Sequence, residues 1–294
     1  QVAYKETITK MAEAEGKSRR LICGEDGRHI YGGHVSPDGQ YVLFTGNMRE
    51  DGDPQHAGAP MGLVRLQDAP IIGGESLDLR ALHPGAKTGP VLGLPAGWEP
   101  CWTFSETPAG VGKRSTETTG ANSKTAVGAD SNSAAPDGEV VKLAKEIRDK
   151  GWIAYSAKTE HGDWDLFVMR PDGSARRKLT NTPEFNEGGA RFSPDGTRLL
   201  FYRMAQSDPL DNNTYGTFEL VIAKADGGHP VVYGRDFAWA SWGPSGTELA
   251  CLAPKGIQII DVASRKVVRQ FPRKGIVQQL VWSPDGKWLA GTAN

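Results

Sequence analysis

No stretch of this chain is apolar over the roughly 18 residues that a transmembrane helix needs. Cysteine is scarce. Cys23, Cys101 and Cys251 stand far apart with no Cys-x-x-Cys pair, which excludes a disulfide framework and a thiolate zinc site, though one bridge stays open. Charge of one sign is missing as well. The 34 Lys plus Arg nearly balance 35 Asp plus Glu, and a net charge of −1 gives no basis for attracting nucleic acid or an anionic membrane. The absence of a Gly-x-Ser-x-Gly elbow removes the nucleophile of α/β-hydrolase chemistry. The chain opens on Gln1, with no Met and no signal-type apolar core, which is the expectation for a processed or trimmed product.

Turn formers, by contrast, are plentiful: 37 Gly and 19 Pro, with eight Trp to supply apolar surface. One phrase that uses both Pro and Gly recurs along the chain. It reads Val35-Ser36-Pro37-Asp38-Gly39, Phe192-Ser193-Pro194-Asp195-Gly196 and Trp282-Ser283-Pro284-Asp285-Gly286. A degraded copy starts at Trp242, and a fifth start at Trp102 keeps the aromatic residue but loses the turn. Pro presets the first corner of a type I turn, Asp suits the second, and Gly takes the left-handed conformation that returns the chain to a strand. Apolar strands on both sides make each phrase a β-hairpin. The Ser193 and Ser283 hydroxyls are therefore read as caps on backbone groups.

A second hairpin follows within each unit, in "DWDLFVMRPDGSARRKLT" (163–180), "FELVIAKADGGHPVVYG" (218–234) and "IQIIDVASRKVVRQF" (257–271). Four antiparallel strands repeated about every 40–50 residues are the mark of a β-propeller. The chain begins with what reads as a second hairpin, "ETITKMAEAEGKSRRLI", and stops on a first hairpin, "WSPDGKWLAGTAN". Two half-blades at opposite ends can pair and close the ring without exposed edges. The expectation is an all-β fold, one propeller domain over 1–294 with five four-stranded blades. Six is the alternative if residues 46–98 hold a further blade around "MGLVRLQDAPIIGG".

These phrases resemble the TolB-type, or WD40-like (PD40), propeller repeat, most closely over "DLFVMRPDGSARRKLTNTPEFNEGGARFSPDGTRLLFY" (165–202). The likeness covers most of 5–45 and 151–294 and is weak between. It implies a recognition platform for protein, in the periplasm or secreted. Other relatives in that group are propeller domains of serine peptidases and a lyase acting on pectin fragments, in which channel-side His hold a divalent metal. An enzyme with a site at the channel mouth, or a propeller domain of a larger enzyme, is therefore the alternative.

Candidate site residues follow from the inner strands, which lead into each phrase. The residues just before the anchors are His34, Cys101, Arg191, Ser241 and Val281, of which only His34 suits a metal held by imidazoles. The six His, at 29, 34, 56, 83, 161 and 229, recur at no equivalent position. His29 and His34 have odd spacing and point to opposite faces of a regular strand, unless Gly32 and Gly33 bulge it. Glu99 and Glu187 precede their anchors and could face the channel, but at unlike offsets. "DPLDNNTYG" (208–216) offers Asp208, Asp211 and Asn213 yet lacks the EF-hand pattern, and "MREDGDPQHAG" (48–58) reads as a solvated loop. Channel-facing binding is thus assigned to His34, Glu99, Glu187 and Arg191. No catalytic, cofactor or metal residue is assigned, and a channel-held divalent metal is the alternative. The expected partner is a protein, with no nucleic acid, no membrane insertion, and a monomeric chain.

One segment breaks the repeat. Residues 105–137 are rich in Ser, Thr, Gly and Ala, a composition too poor in apolar surface to order itself. In the following "EVVKLAKEIRDKG", Val140, Leu143, Ala144 and Ile147 keep helical spacing, with Asp137 placed to cap the start and Gly151 the end. The stripe either covers its own blade or serves as a partner-contact or gating element.

Overall fold

A computed structural model describes residues 9–12, 17–20, 30–46, 60–66, 71–72, 91–109, 138–208, 218–235, 237–273 and 275–293. Cys23, His29, His56, His83, Asp211, Asn213, the whole 48–58 segment and residues 110–137, with Asp137, lie outside them. The chain divides into two compact units: residues 1–104, 112–158 and 167–177, and residues 105–111, 159–166 and 178–294.

The first unit opens on an antiparallel hairpin, β1 (Thr9–Ala12) and β2 (Lys17–Arg20). The next sheet contains β3 (Ile30–Val35), β4 (Tyr41–Gly46) and β5 (Pro60–Arg65). The short β6 (Ile71–Ile72) pairs with β2, while β7 (Leu92–Ala96) completes the order β3-β4-β5-β7. The "MGLVRLQDAPIIGG" segment is therefore not a hairpin of its own. Both edges of β5 are taken by β4 and β7, so Ile71 and Ile72 pair elsewhere.

β8 (Trp98–Thr103), β9 (Trp152–Lys158), β10 (Trp164–Met169) and β11 (Arg177–Lys178) form a four-stranded sheet in the order β11-β10-β9-β8. In the second unit, β12 (Phe185–Phe192), β13 (Arg198–Ala205), β14 (Glu219–Lys224) and β15 (Val231–Gly234) are consecutive antiparallel neighbours. So are β16 (Ala238–Trp242), β17 (Glu248–Ala253), β18 (Gly256–Asp261) and β19 (Val267–Phe271). The last hairpin pairs β20 (Ile276–Trp282) with β21 (Leu289–Ala293). Each of the five anchors of the sequence phrase thus ends the first strand of a sheet, or adjoins its end, as at Trp102 in β8.

The turn chemistry is the same in all three complete phrases. Ser36, Ser193 and Ser283 each donate Oγ–H to the Asp two residues on, at 2.6, 2.5 and 2.6 Å. Each Oγ also accepts the backbone N–H five residues on, from Tyr41, Arg198 and Trp288, at 3.0, 3.0 and 2.9 Å. The Asp accepts the N–H two residues further along, and the turn glycines Gly39, Gly196 and Gly286 hold φ of 71, 66 and 72°. Burial works against an ionised Asp195, but the bonds from Ser193 and Thr197, with the nearby Arg198 charge, prevail and hold its carboxyl below the usual range. The serines are structural caps, as the sequence implies.

The anchor aromatics join neighbouring sheets. In the first unit the Trp102 ring lies 5.6 Å from that of Tyr41, the residue that closes the preceding turn, and its Nε1–H donates to the Lys150 carbonyl. In the second unit the Arg198 guanidinium, at the same turn position, lies 4.9 Å from the Trp242 ring and donates to the Gly246 carbonyl. Each such ring buries apolar surface and gains a cation or ring contact.

The sequence helix forms as α1 (Gly138–Ile147), and its stripe is spent at home. Leu143 and Ile147 are fully buried with Tyr41, Leu43, Met61, Leu63, Ile153 and Met169, and Val140 and Ala144 pack against that cluster. Glu146 accepts hydrogen bonds from Tyr41 Oη–H and from Arg65, and Lys150 Nζ stands 3.7 Å from Asp38 and over the Tyr41 ring. The stripe thus covers its own unit, the first of the two alternatives that the sequence leaves open for it. Gly151 is required next to it: φ is 79°, and a Cβ there would lie 1.9 Å from the Thr103 carbonyl oxygen. Separate cores serve the second unit, around Leu200, Leu220, Ile222, Trp242, Leu249 and Cys251, and around Leu252, Ile257, Ile259 and Leu280.

Replacing the buried Ser193 by Ala deletes a hydroxyl that serves two backbone and one side-chain partner. The expected cost is about 1–2 kcal/mol of unfolding free energy in urea melts, because the Arg198 N–H loses its acceptor. An unchanged midpoint would show that the cap is dispensable.

Candidate functional site

Five inner strands carry the same irregularity. A one-residue bulge interrupts pairing at Tyr31/His34, Trp98/Cys101, Gly188/Arg191, Ala238/Ser241 and Gln278/Val281. In each, two residues of the inner strand face one on its neighbour. The residue three before the anchor sits inside the bulge. Glu99, Gly189, Trp239 and Gln279 hold this place with φ of 47, 68, 50 and 53°, and Gly32 is its sequence equivalent. Three bulky side chains thus occupy a left-handed conformation that costs each roughly 1–2 kcal/mol relative to an ordinary one. The bulge resets the alternation of faces, so the parity argument that set His34 against His29 does not hold for β3.

His34 follows its bulge directly, lies opposite Leu43 and is half-buried. Glu99 is the bulged residue of β8 and is half-buried. Arg191 follows the bulge of β12, lies opposite Leu200, and turns its guanidinium back onto the Ala190 carbonyl at 2.7 Å. Glu187 lies on the far side of that bulge, opposite Arg203, and is 3 % exposed. His34 and Glu99 belong to the first unit, and Glu187 and Arg191 to the second.

Glu187 has a close acidic neighbour that sequence reasoning missed. Asp165, in β10, is completely buried, and its electrostatic repulsion is felt by Glu187. Thr182 links the two: its backbone N–H points to Asp165 Oδ1 at 3.5 Å, and its Oγ1–H donates to Glu187 Oε1 at 2.7 Å. Lys178 Nζ supplies a counter-charge 2.8 Å from Asp165 Oδ2. Glu187 Oε2 is buried without a hydrogen-bond partner. Further along, Arg203 and Arg235 both reach Glu219, at 2.8 and 2.9 Å. Burial first, with Asp165 adding to it, pushes the Glu187 carboxyl above its usual range against hydrogen bonds from Thr180 and Thr182 and the Arg203 charge. The one available signal was the acid in "DWDL", an unusual residue in an otherwise apolar strand.

This cluster can hold a proton on one carboxyl beside an ion pair. At 3 % and 0 % exposure it cannot present either acid to a substrate. Among the described residues no group of three or more His, Cys, Asp or Glu is arranged to hold a metal ion. His161 and His229 sit in outer turns, between β9 and β10 and between β14 and β15. A His-held divalent metal does not fit the described residues. Cys101 and Cys251 are buried, and burial pushes the Cys251 thiol far up, away from reactive thiolate.

No protein-family model and no curated protein matches the chain. Solved structures do. A TolB from Agrobacterium tumefaciens is 15% identical with a TM-score of 0.50, over 92% of this chain and 71% of that one. An oligogalacturonate lyase from Vibrio parahaemolyticus is 8% identical with a TM-score of 0.52, over 98% and 69%. An oligogalacturonate lyase in complex with manganese is 12% identical with a TM-score of 0.51, over 94% and 65%. At such identities the likeness shows the fold, an all-β, TolB-like propeller type of four-stranded sheets.

Glu187→Gln tests the cluster. A carboxyl whose folded pKa is raised contributes stability that is fully present below the unfolded value, about 4.3, and is lost as pH rises through the folded one. The amide escapes that loss. The variant is expected to exceed the parent in stability at pH 7 by on the order of 1 kcal/mol and to match it at pH 4. A variant less stable than the parent at pH 7 would refute the assignment.

Proposed function

We propose that the chain is a non-catalytic propeller platform for protein, a single domain over 1–294 with residues 105–150 inserted in one blade. The observation that carries the reading is where apolar surface is left uncovered. Of the ten large exposed hydrophobic residues described, four, Val267, Val268, Phe271 and Val281, fall within 15 residues of one another, in β19 and β20. Concentrated apolar exposure is what a recognition surface presents. Glu187 and Asp165 are enclosed, so neither offers a carboxylate to a substrate. The resemblance to TolB-type repeats supports a periplasmic or secreted location, and we take the chain to be monomeric. His34, Glu99 and Arg191, at or beside the bulges of their inner strands, remain our candidates for channel-facing contacts.

We further propose five blades, with the ring closed between its head and tail. The repeated contact of anchor with preceding turn supports this. Trp288, at the turn position held elsewhere by Tyr41 and Arg198, is 72% exposed, and Val35, an anchor, is 49% exposed. These are the two members of the series that closure would match.

Two measurements test the readings. Incubation with oligogalacturonate and manganese, followed by ultraviolet absorbance of unsaturated products, is expected to show no turnover, and a steady rise would replace the platform with a lyase. Removing residues 1–22 is expected to broaden and lower the thermal transition; an unchanged melt would overturn the closure.

A further inference from the structure

The connection from β11 to β12 is strapped to three consecutive residues of β10. Leu179 N–H donates to the Leu166 carbonyl at 2.8 Å, and Leu166 N–H donates to Thr180 Oγ1 at 2.9 Å. Trp164 N–H donates to Asn186 Oδ1 at 3.1 Å. Between these fixings Thr182 reaches both enclosed acids, Asp165 through its N–H and Glu187 through its hydroxyl. All of these residues belong to the second unit.

Charged groups face Glu187 from the elements around it. Asp165 stands on β10 and Arg203 on β13, with Lys178, Glu219 and Arg235 one step further out. Lys178 is held by Asp165 at 2.8 Å. Arg203 gives its Nε–H to Glu219 at 2.8 Å, and its guanidinium carbon lies 4.3 Å from the Phe185 ring. Arg235 also goes to Glu219, and its side chain is 69% exposed. Asp165, Glu187 and Glu219 thus share Lys178 and Arg203, and Glu187 is the acid left over, with Oε2 buried and unpartnered. An enclosed carboxylate without a counter-charge of its own is costly, and a proton removes that cost.

We propose that the 179–186 strap is a proton-operated latch, closed while Glu187 carries a proton and opened as Glu187 ionises and turns to water. Opening frees the N–H groups of Trp164, Leu166, Leu179 and Thr182 together. Glu187 lies just ahead of the bulge that Arg191 follows, so the latch adjoins one candidate contact of the platform. Its test uses no ligand, and the two readings fail separately. Rising pH favours opening. Burial raises the folded pKa of Glu187, so the closure it supports is complete below the unfolded value, about 4.3, and is lost as pH rises through the folded one. Across that window the single proton released changes the opening constant by up to about tenfold per pH unit.

Amide hydrogen exchange of the full chain, read by mass spectrometry from about pH 4 to about pH 9 and corrected for intrinsic rates, tests the latch. Protection over 164–166 and 179–187 is expected to fall by about tenfold or more and then level off, while protection over β17 and β18 stays constant. Glu187→Gln is expected to keep the strap protected at every pH. Protection unchanged by pH, a fall that Glu187→Gln retains, or a fall shared equally by β17 and β18 would overturn the proposal. So would a Glu187→Gln chain that does not fold, because the amide stands in for the neutral acid that the closed latch requires.

Discussion

A serine hydroxyl that donates to a carboxylate two residues on and accepts a backbone N–H five residues on governs how the first two strands of three sheets meet. The hydroxyl closes the turn, the turn sets the register of the inner hairpin, and the register sets which residue becomes the anchor. From the anchor the remaining geometry follows by fixed offsets. The residue that ends the turn meets the next anchor, as Tyr41 meets Trp102 and Arg198 meets Trp242. The residue three before the anchor enters a bulge. Repetition of a small polar clamp thus organises sheets whose stability comes mainly from apolar burial.

The bulges matter for function because they decide what an inner strand presents. A regular strand would have placed every second residue on one face. An extra residue in each of five inner strands shifts that alternation at the same point, and left-handed Glu99, Trp239 and Gln279 accept local strain to do so. A feature retained with such side chains in several sheets is part of the architecture. The acidic cluster is a different matter. Asp165 and Glu187 are tied through Thr182 and balanced by Lys178 and Arg203, a network that holds the 178–187 segment against its neighbours while leaving no acid accessible.

Much of this was legible along the chain. Turn residues announce themselves locally, so the three Ser-Pro-Asp-Gly hairpins, the later hairpins of 163–180, 218–234 and 257–271, and the helix over Val140–Ile147 all form where their patterns indicate. Other features were out of reach. "MGLVRLQDAPIIGG" looks like a hairpin, yet its halves find partners in β4, β7 and β2, because strand pairing is settled by which edges are open and not by adjacency. Glu99 and Glu187 looked alike as acids ahead of anchors. Their surroundings differ because one falls inside a bulge and the other beyond it, opposite Arg203.

The sequence by itself determined the sheet-forming repeat, the turn chemistry and the helical insertion, since each depends on residues within a few positions of one another. Only the tertiary structure decided that the helix spends its apolar stripe on its own unit, that Asp165 joins Glu187, and that β19 is left uncovered. Burial, the pairing of charges and the exposure of an edge depend on residues far apart in the chain, and no local pattern carries that information.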